Sequence, residues 1–188
     1  MMKVRSGLAV AAGALAVLLA TSVVARAEER VCRGSIGAVT VDNLRVPQSI
    51  TCYLDRTRVK GTIKVERGAK LDANRVVVIG NVQAEGANSV ALRNGSRIGG
   101  SVQLVQGGSA TIINSSVDGS IQLESNRAAL RVLNNEVNSD VQAFQNRGGV
   151  KISDNRVDGN LQCKSNTPAP TGGGNIVQGN KEDQCRRL

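Results

Sequence analysis

Four cysteines, Cys32, Cys52, Cys163 and Cys185, are the most reactive side chains in the sequence, and no histidine accompanies them. Without His there is no Ser-His-Asp triad, no Cys-His dyad and no His-ligated metal. No two of the cysteines form a Cys-x-x-Cys pair, so the spacing of a zinc site is missing. No metal and no other cofactor is expected. Oxidation to disulfides is the chemistry that remains, and four cysteines allow three connectivities.

The second group with chemical potential is acidic. Asp118, Asp140, Asp154 and Asp158 recur near Arg131 and Lys151. Carboxylates about 5–9.5 Å apart are the machinery of glycoside hydrolysis. Solvated corner residues are the plainer reading of the same acids, and no residue is assigned a catalytic role. One Tyr, one Phe and no Trp cannot build a stacking platform for bases, so nucleic acid is not an expected partner. The chain is basic, at net +9 over 188 residues. That excess favours anionic surfaces such as cell-envelope or other anionic polysaccharide, or simply a soluble basic protein.

Residues 1–27 read as an export signal. Lys3 and Arg5 precede an apolar run from Leu8 to Ala20, and Ala25-Arg26-Ala27 offers a small-x-small cleavage site. The run falls short of the ~20 apolar residues a membrane span requires. Cleavage after Ala27 leaves a mature chain with no transmembrane segment, secreted or periplasmic and bacterial.

What positions these side chains is an internal repeat. Gly80-Asn81-Val82-Gln83 returns as Gly100-Ser101-Val102-Gln103, Gly119-Ser120-Ile121-Gln122, Ser139-Asp140-Val141-Gln142 and Gly159-Asn160-Leu161-Gln162. Gly61-Thr62-Ile63-Lys64 precedes them. The aliphatic residue advances by 19 or 20 positions each time. Further columns keep the step, among them Leu92, Ile112, Val132 and Ile152, and Ile98, Val117, Val137 and Val157. Each unit therefore holds three short runs that alternate inward and outward, which is the period of a strand. Glycine at most unit starts and Asn-rich breaks argue against helix. The predicted fold is an all-β, single-stranded right-handed parallel β-helix of 19–20-residue coils. The Gly column is expected at a corner with positive φ. Asn94, Asn114, Asn134 and Asp154 are expected to stack at another corner.

The expected organisation is a signal segment over 1–27, an N-terminal capping coil over 28–60, β-helix repeats over 61–178 and a C-terminal cap over 179–188. Gly34-Ser35-Ile36 resembles a unit start. Thr167 to Gly174, with two prolines, is expected to replace a second strand and to block regular pairing at that edge. Cys32 and Cys52 bracket the first end; Cys163 and Cys185 bracket the last. That bracketing motivates the pairs Cys32–Cys52 and Cys163–Cys185. Caps at both ends discourage end-to-end growth, so a monomer is expected.

One outward column is a candidate binding face: Gln83, Gln103, Gln122, Gln142 and Gln162, beside polar Asn81, Ser101, Ser120, Asp140 and Asn160. Arg131 and Lys151, with Arg93 and Arg147 nearby, would add attraction for an anionic polymer. A glutamine ladder that only stabilises stacked strands is the alternative.

The stretch from Gly159 to Cys185, GNLQCKSNTPAPTGGGNIVQGNKEDQC, resembles the C-terminal segment of small exported bacterial β-helix proteins of uncharacterised function. That resemblance implies a fold and a compartment and carries no activity. The repeated Gly-x-aliphatic corner, as in Gly100-Ser101-Val102, also resembles bactofilins, which are polymer-forming. This chain differs from them in its export signal, cysteine pairs and proline-rich end. The sequence points to an exported non-enzymatic structural or surface-binding solenoid, with a carbohydrate-active β-helix as the alternative.

Overall fold

The computed structural model describes residues 28–188. The leader expected over 1–27 lies outside them. The described residues are all strand and turn, wound into a parallel β-solenoid of about eight turns. Each turn contributes one strand to each of three sheets. The first sheet stacks nine strands, from Glu29–Val31 to Lys181–Asp183; the second stacks eight, from Gly34–Ile36 to Thr171–Gly173. The third also stacks eight, from Thr40–Val41 to Ile176–Val177.

Register follows the repeat. Val82 pairs with Val102, Val102 with Ile121 and Ile121 with Val141, each one turn away. Ile63, Val82, Val102, Ile121, Val141 and Leu161 have no exposed surface. Leu92, Ile112, Val132 and Ile152 close the second side of the interior, and Val117, Val137 and Val157 the third. A single turn cannot shield these side chains, so stacking supplies the core. Single-residue length changes fall at corners. Arg93 to Arg97 holds one residue more than the matching stretch of the next turn; Gly95, at φ +83°, takes it up at a corner with open space around it.

The structure differs from expectation at four places. The Gly column does not adopt positive φ. Gly80 and Gly100 are there because a Cβ would press on the carbonyl of the glycine one turn below, at 2.7 and 2.8 Å. Positive φ falls instead on Arg75, Asn94, Asn114, Asn134 and Asp154, at 51–59°. Asn and Asp tolerate that conformation, which explains their abundance in the column. Second, the asparagines that tie the turns together internally are their downstream neighbours. Asn135, Asn155 and Asn175 are buried in one column, and Asn126, Asn146 and Asn166 in another. Asn155 Oδ1 accepts from the Asn135 backbone and side-chain amides, and its own Nδ2 donates to the Val132 and Ser153 carbonyls and to Asn175. No buried side-chain nitrogen or oxygen among the described residues lacks a partner, so these amides are buried without an unpaired group.

Third, residues 28–60 make two turns rather than one enlarged coil. Gly34–Ile36 belongs to the second sheet, paired with Cys52–Leu54, and Leu44 takes the place below Ile63. Pro47 and the surrounding turn obscure this spacing in the sequence. Fourth, the Thr167–Gly174 segment keeps its strand. Thr171–Gly173 pairs with Lys151–Ser153 even though Pro168 and Pro170 precede it.

Disulfides join Cys32 to Cys52 and Cys163 to Cys185, with Cα separations of 5.7 and 5.1 Å. At the C-terminal end Leu188 is buried against the core, and the Lys181 ammonium donates to the Asn175 and Leu188 carbonyls.

Candidate functional site

The five glutamines project outward from the first sheet, because each lies between two inward residues of its strand. The parallel register sets them directly over one another. Gln83 donates to Gln103 at 3.0 Å, Gln103 to Gln122 at 2.9 Å, Gln122 to Gln142 at 3.2 Å and Gln142 to Gln162 at 2.9 Å. Gln162 then donates to the Glu182 carboxylate at 2.9 Å. Sequence reasoning misses Glu182, because its strand has no aliphatic signature.

This column has a direction. An ionised carboxylate only accepts, so Gln162 must turn its N–H to Glu182 and its carbonyl to Gln142, and each amide below follows. Lys64 and Arg45 occupy the same column at the other end. The aligned amides therefore present their positive end to a carboxylate and their negative end to the Lys64 ammonium, since Arg45 beyond it is paired with Glu29 and Glu66. That is the charge complement that stabilises an aligned row of dipoles.

The polar column beside the glutamines is spent on the stack. The Ser101 N–H donates to Asn81 Oδ1 at 2.8 Å, the Ser120 N–H to Ser101 Oγ at 3.1 Å, and the Asn160 N–H to Asp140 Oδ1 at 2.7 Å. Each side chain caps a backbone donor of the next turn.

The four aspartates hold three different places in the turn. Asp140 is that corner cap, and Asp154 holds a positive-φ corner between the second and third sheets. Asp118 and Asp158 extend from the third sheet two turns apart, with Asn138 donating to the first and Gln178 to the second. Arg156 lies 3.8 Å from Asp158.

The basic residues fall elsewhere. Arg131 and Lys151 are paired neighbours on the outer face of the second sheet, not on the glutamine sheet. Arg93 is engaged with Asp72 at 3.8 Å. Arg147 stands with Arg127 at the corner between the first and second sheets, in a depression also lined by Gln106, Ser125, Gln145 and Ser165. Near the N-terminal end, Asp55 gathers Asn74 at 2.7 Å and Arg75 and Arg56 at 3.1 Å. The Asn74 amide, aided by the two arginines, holds its carboxyl below the usual aspartate value against the opposing effect of desolvation.

Among the described residues no group of three or more His, Cys, Asp or Glu is placed to hold a metal ion. No helix among them is long and apolar enough to cross a membrane. No protein-family model, curated protein or solved structure matches this chain. Its fold therefore rests on strand pairing alone.

Proposed function

We propose that the protein is an exported, non-enzymatic β-solenoid of the bacterial cell envelope, acting as a structural or surface-binding element, secreted or periplasmic. The observation that carries this reading is the unbroken relay from Gln83 to Glu182. It makes one side of the rod polar and repetitive, with a depression lined by Lys64, Gln83 and Gln103 towards its N-terminal end. A repetitive face suits a repetitive polymer better than a small substrate that needs a cleft. The disulfides at both ends and the leader-like residues 1–27 support the compartment.

The test is fractionation followed by binding. The processed protein should be recovered from the periplasm or medium, begin at Glu28 by mass, and co-sediment with isolated envelope. Incubation with acidic polysaccharides should release no new reducing or unsaturated ends. Release of such ends would overturn the non-enzymatic reading in favour of a carbohydrate-active β-helix. Failure to sediment would overturn surface binding.

A further inference from the structure

Four cations form two neighbouring columns on two consecutive turns. Arg131 pairs directly with Lys151 on the second sheet. Four residues earlier in each turn, Arg127 stacks under Arg147, since the Arg147 N–H reaches the Asn126 carbonyl and the Arg127 N–H the Gly107 carbonyl. All four are exposed. The turns are ~4.8 Å apart, so each pair sets two positive charges side by side. Like charges directly opposite each other on neighbouring strands are destabilising.

Elsewhere in the described residues several cations are neutralised. Arg45, Arg56, Lys60, Arg75, Arg93 and Arg156 all pair with carboxylates. The array of four enters no such pair. It is also framed by hydroxyls. Thr111 and Thr171 continue the Arg131–Lys151 column on either side, and Thr167 follows Arg147. Between the two cation columns the chain is small where it reaches the surface, Ala128-Ala129 on one turn and Gly148-Gly149 on the next, while Leu130 and Val150 are buried. Nothing bulky in the chain between the two columns stands in the way of an incoming polymer.

We infer that Arg127, Arg147, Arg131 and Lys151 form a binding site for an anionic polysaccharide, recognised through its repeating carboxylate or sulfate oxyanions. Three of the four are arginines, whose planar fork matches such oxyanions in a bidentate manner. Neither aromatic residue of the chain, Tyr53 or Phe144, lies in the columns of the array to stack a base, which separates it from a nucleic-acid site. The inference rests on the surface-binding reading and moves the contact from the glutamine sheet to this corner and the adjoining face.

The test uses the processed protein with polygalacturonate, dextran sulfate, neutral dextran and a duplex DNA as probes. Binding is measured by fluorescence anisotropy across a salt series. One variant carries Arg127→Gln, Arg131→Gln, Arg147→Gln and Lys151→Gln. A second carries Arg58→Gln, Arg97→Gln, Arg186→Gln and Arg187→Gln, four exposed cations outside the array with the same change in net charge. Circular dichroism checks that both are folded. The array variant should lose at least tenfold in affinity for a carboxylated or sulfated polymer, with a shallower salt dependence, while the control stays within about threefold. Preference between the two polymers identifies the oxyanion. Equal loss in both variants would reduce the effect to net charge and overturn the site. Tighter binding to DNA than to either polysaccharide would overturn the ligand class. Envelope binding retained by the array variant would overturn the site and leave the surface-binding reading standing. A wild-type protein that bound no envelope material would overturn that reading itself.

Discussion

Gln162 donates its side-chain amide to the Glu182 carboxylate at 2.9 Å, and this contact orients every glutamine below it. Four further amide bonds pass the direction down to Gln83, next to Lys64. Two ions of opposite sign thus bracket a row of neutral groups, and the row has one favourable sense.

Reversing one end should set the row against itself. Glu182→Lys is expected to cost about 1–3 kcal/mol, since Gln162 loses a charge-assisted bond and faces a cation with its N–H. Adding Lys64→Glu lets all five amides flip together and recover some of the loss. Urea denaturation of both single variants and the double variant would give a coupling of ~0.5 kcal/mol or more. Strict additivity would mean that the amides do not act as a row.

Buried and exposed amides should behave differently. Asn155→Ala strips a partner from the Asn135 N–H and the Val132 carbonyl inside the stack. Each group left unpaired costs about 1–3 kcal/mol. Gln103→Ala removes bonds on a face that water can reach and should cost ~1 kcal/mol or less. Ile112→Asp, at a position with no exposure, should be the worst of the three, by several kcal/mol. Equal unfolding midpoints would refute the inside–outside assignment.

Each disulfide ties residues 20 and 22 positions apart, and removing one should cost roughly 3 kcal/mol. Loss of the Cys163–Cys185 bond should also free Gln184 and Leu188 from the C-terminal end. Replacing both cysteines of that pair by alanine should therefore raise protease cleavage after Lys181 more than the corresponding Cys32 and Cys52 change. The opposite order would place the weaker closure at the N-terminal end.

Acid should act through Asp55. Its carboxyl is held below the unfolded value of about 3.9, so the folded state binds this proton less readily than the unfolded chain. The contribution is present above about pH 4 and is lost as pH falls through the lowered folded value. Asp55→Asn should flatten the acid limb of the stability profile and leave its slope near neutrality unchanged. A profile identical to wild type would remove Asp55 from the acid response.

The fold is legible because its signal is periodic. Val82, Val102, Ile121 and Val141 repeat at 19 or 20 residues, and any strand stack must align them. The cysteine pairs follow from where they bracket the chain. The ties within the stack are harder to read. Asn126, Asn146 and Asn166 also repeat at 20, as do Asn135, Asn155 and Asn175. Polar residues next to a turn read as exposed, and burial depends on the corner geometry that the preceding positive-φ residue creates. Arg131 and Lys151 are readable as a column, but their sheet is not, since outward positions of all three sheets look alike in one dimension. Glu182 escapes because neither Lys181 nor Asp183 carries the inward aliphatic that marks the earlier strands.

The two buried asparagine columns occupy only the later turns. In the earlier ones the same corner positions hold Ala69, Ala87 and Val76, and Thr57, Ser96 and Ser115, of which Thr57 and Ser96 reach a neighbouring turn through their hydroxyls. Neighbouring turns are the only partners a solenoid turn has. Turns that share buried amides should open together, while the middle turns, between the Cys32–Cys52 disulfide and the amide block, have fewer such ties and should separate more readily. The molecule is thus a disulfide-closed first end, a more pliable middle and a tightly coupled last block, and amide exchange should be fastest in the middle turns. A polypeptide delivered from its N-terminus commits to its most cooperative section last.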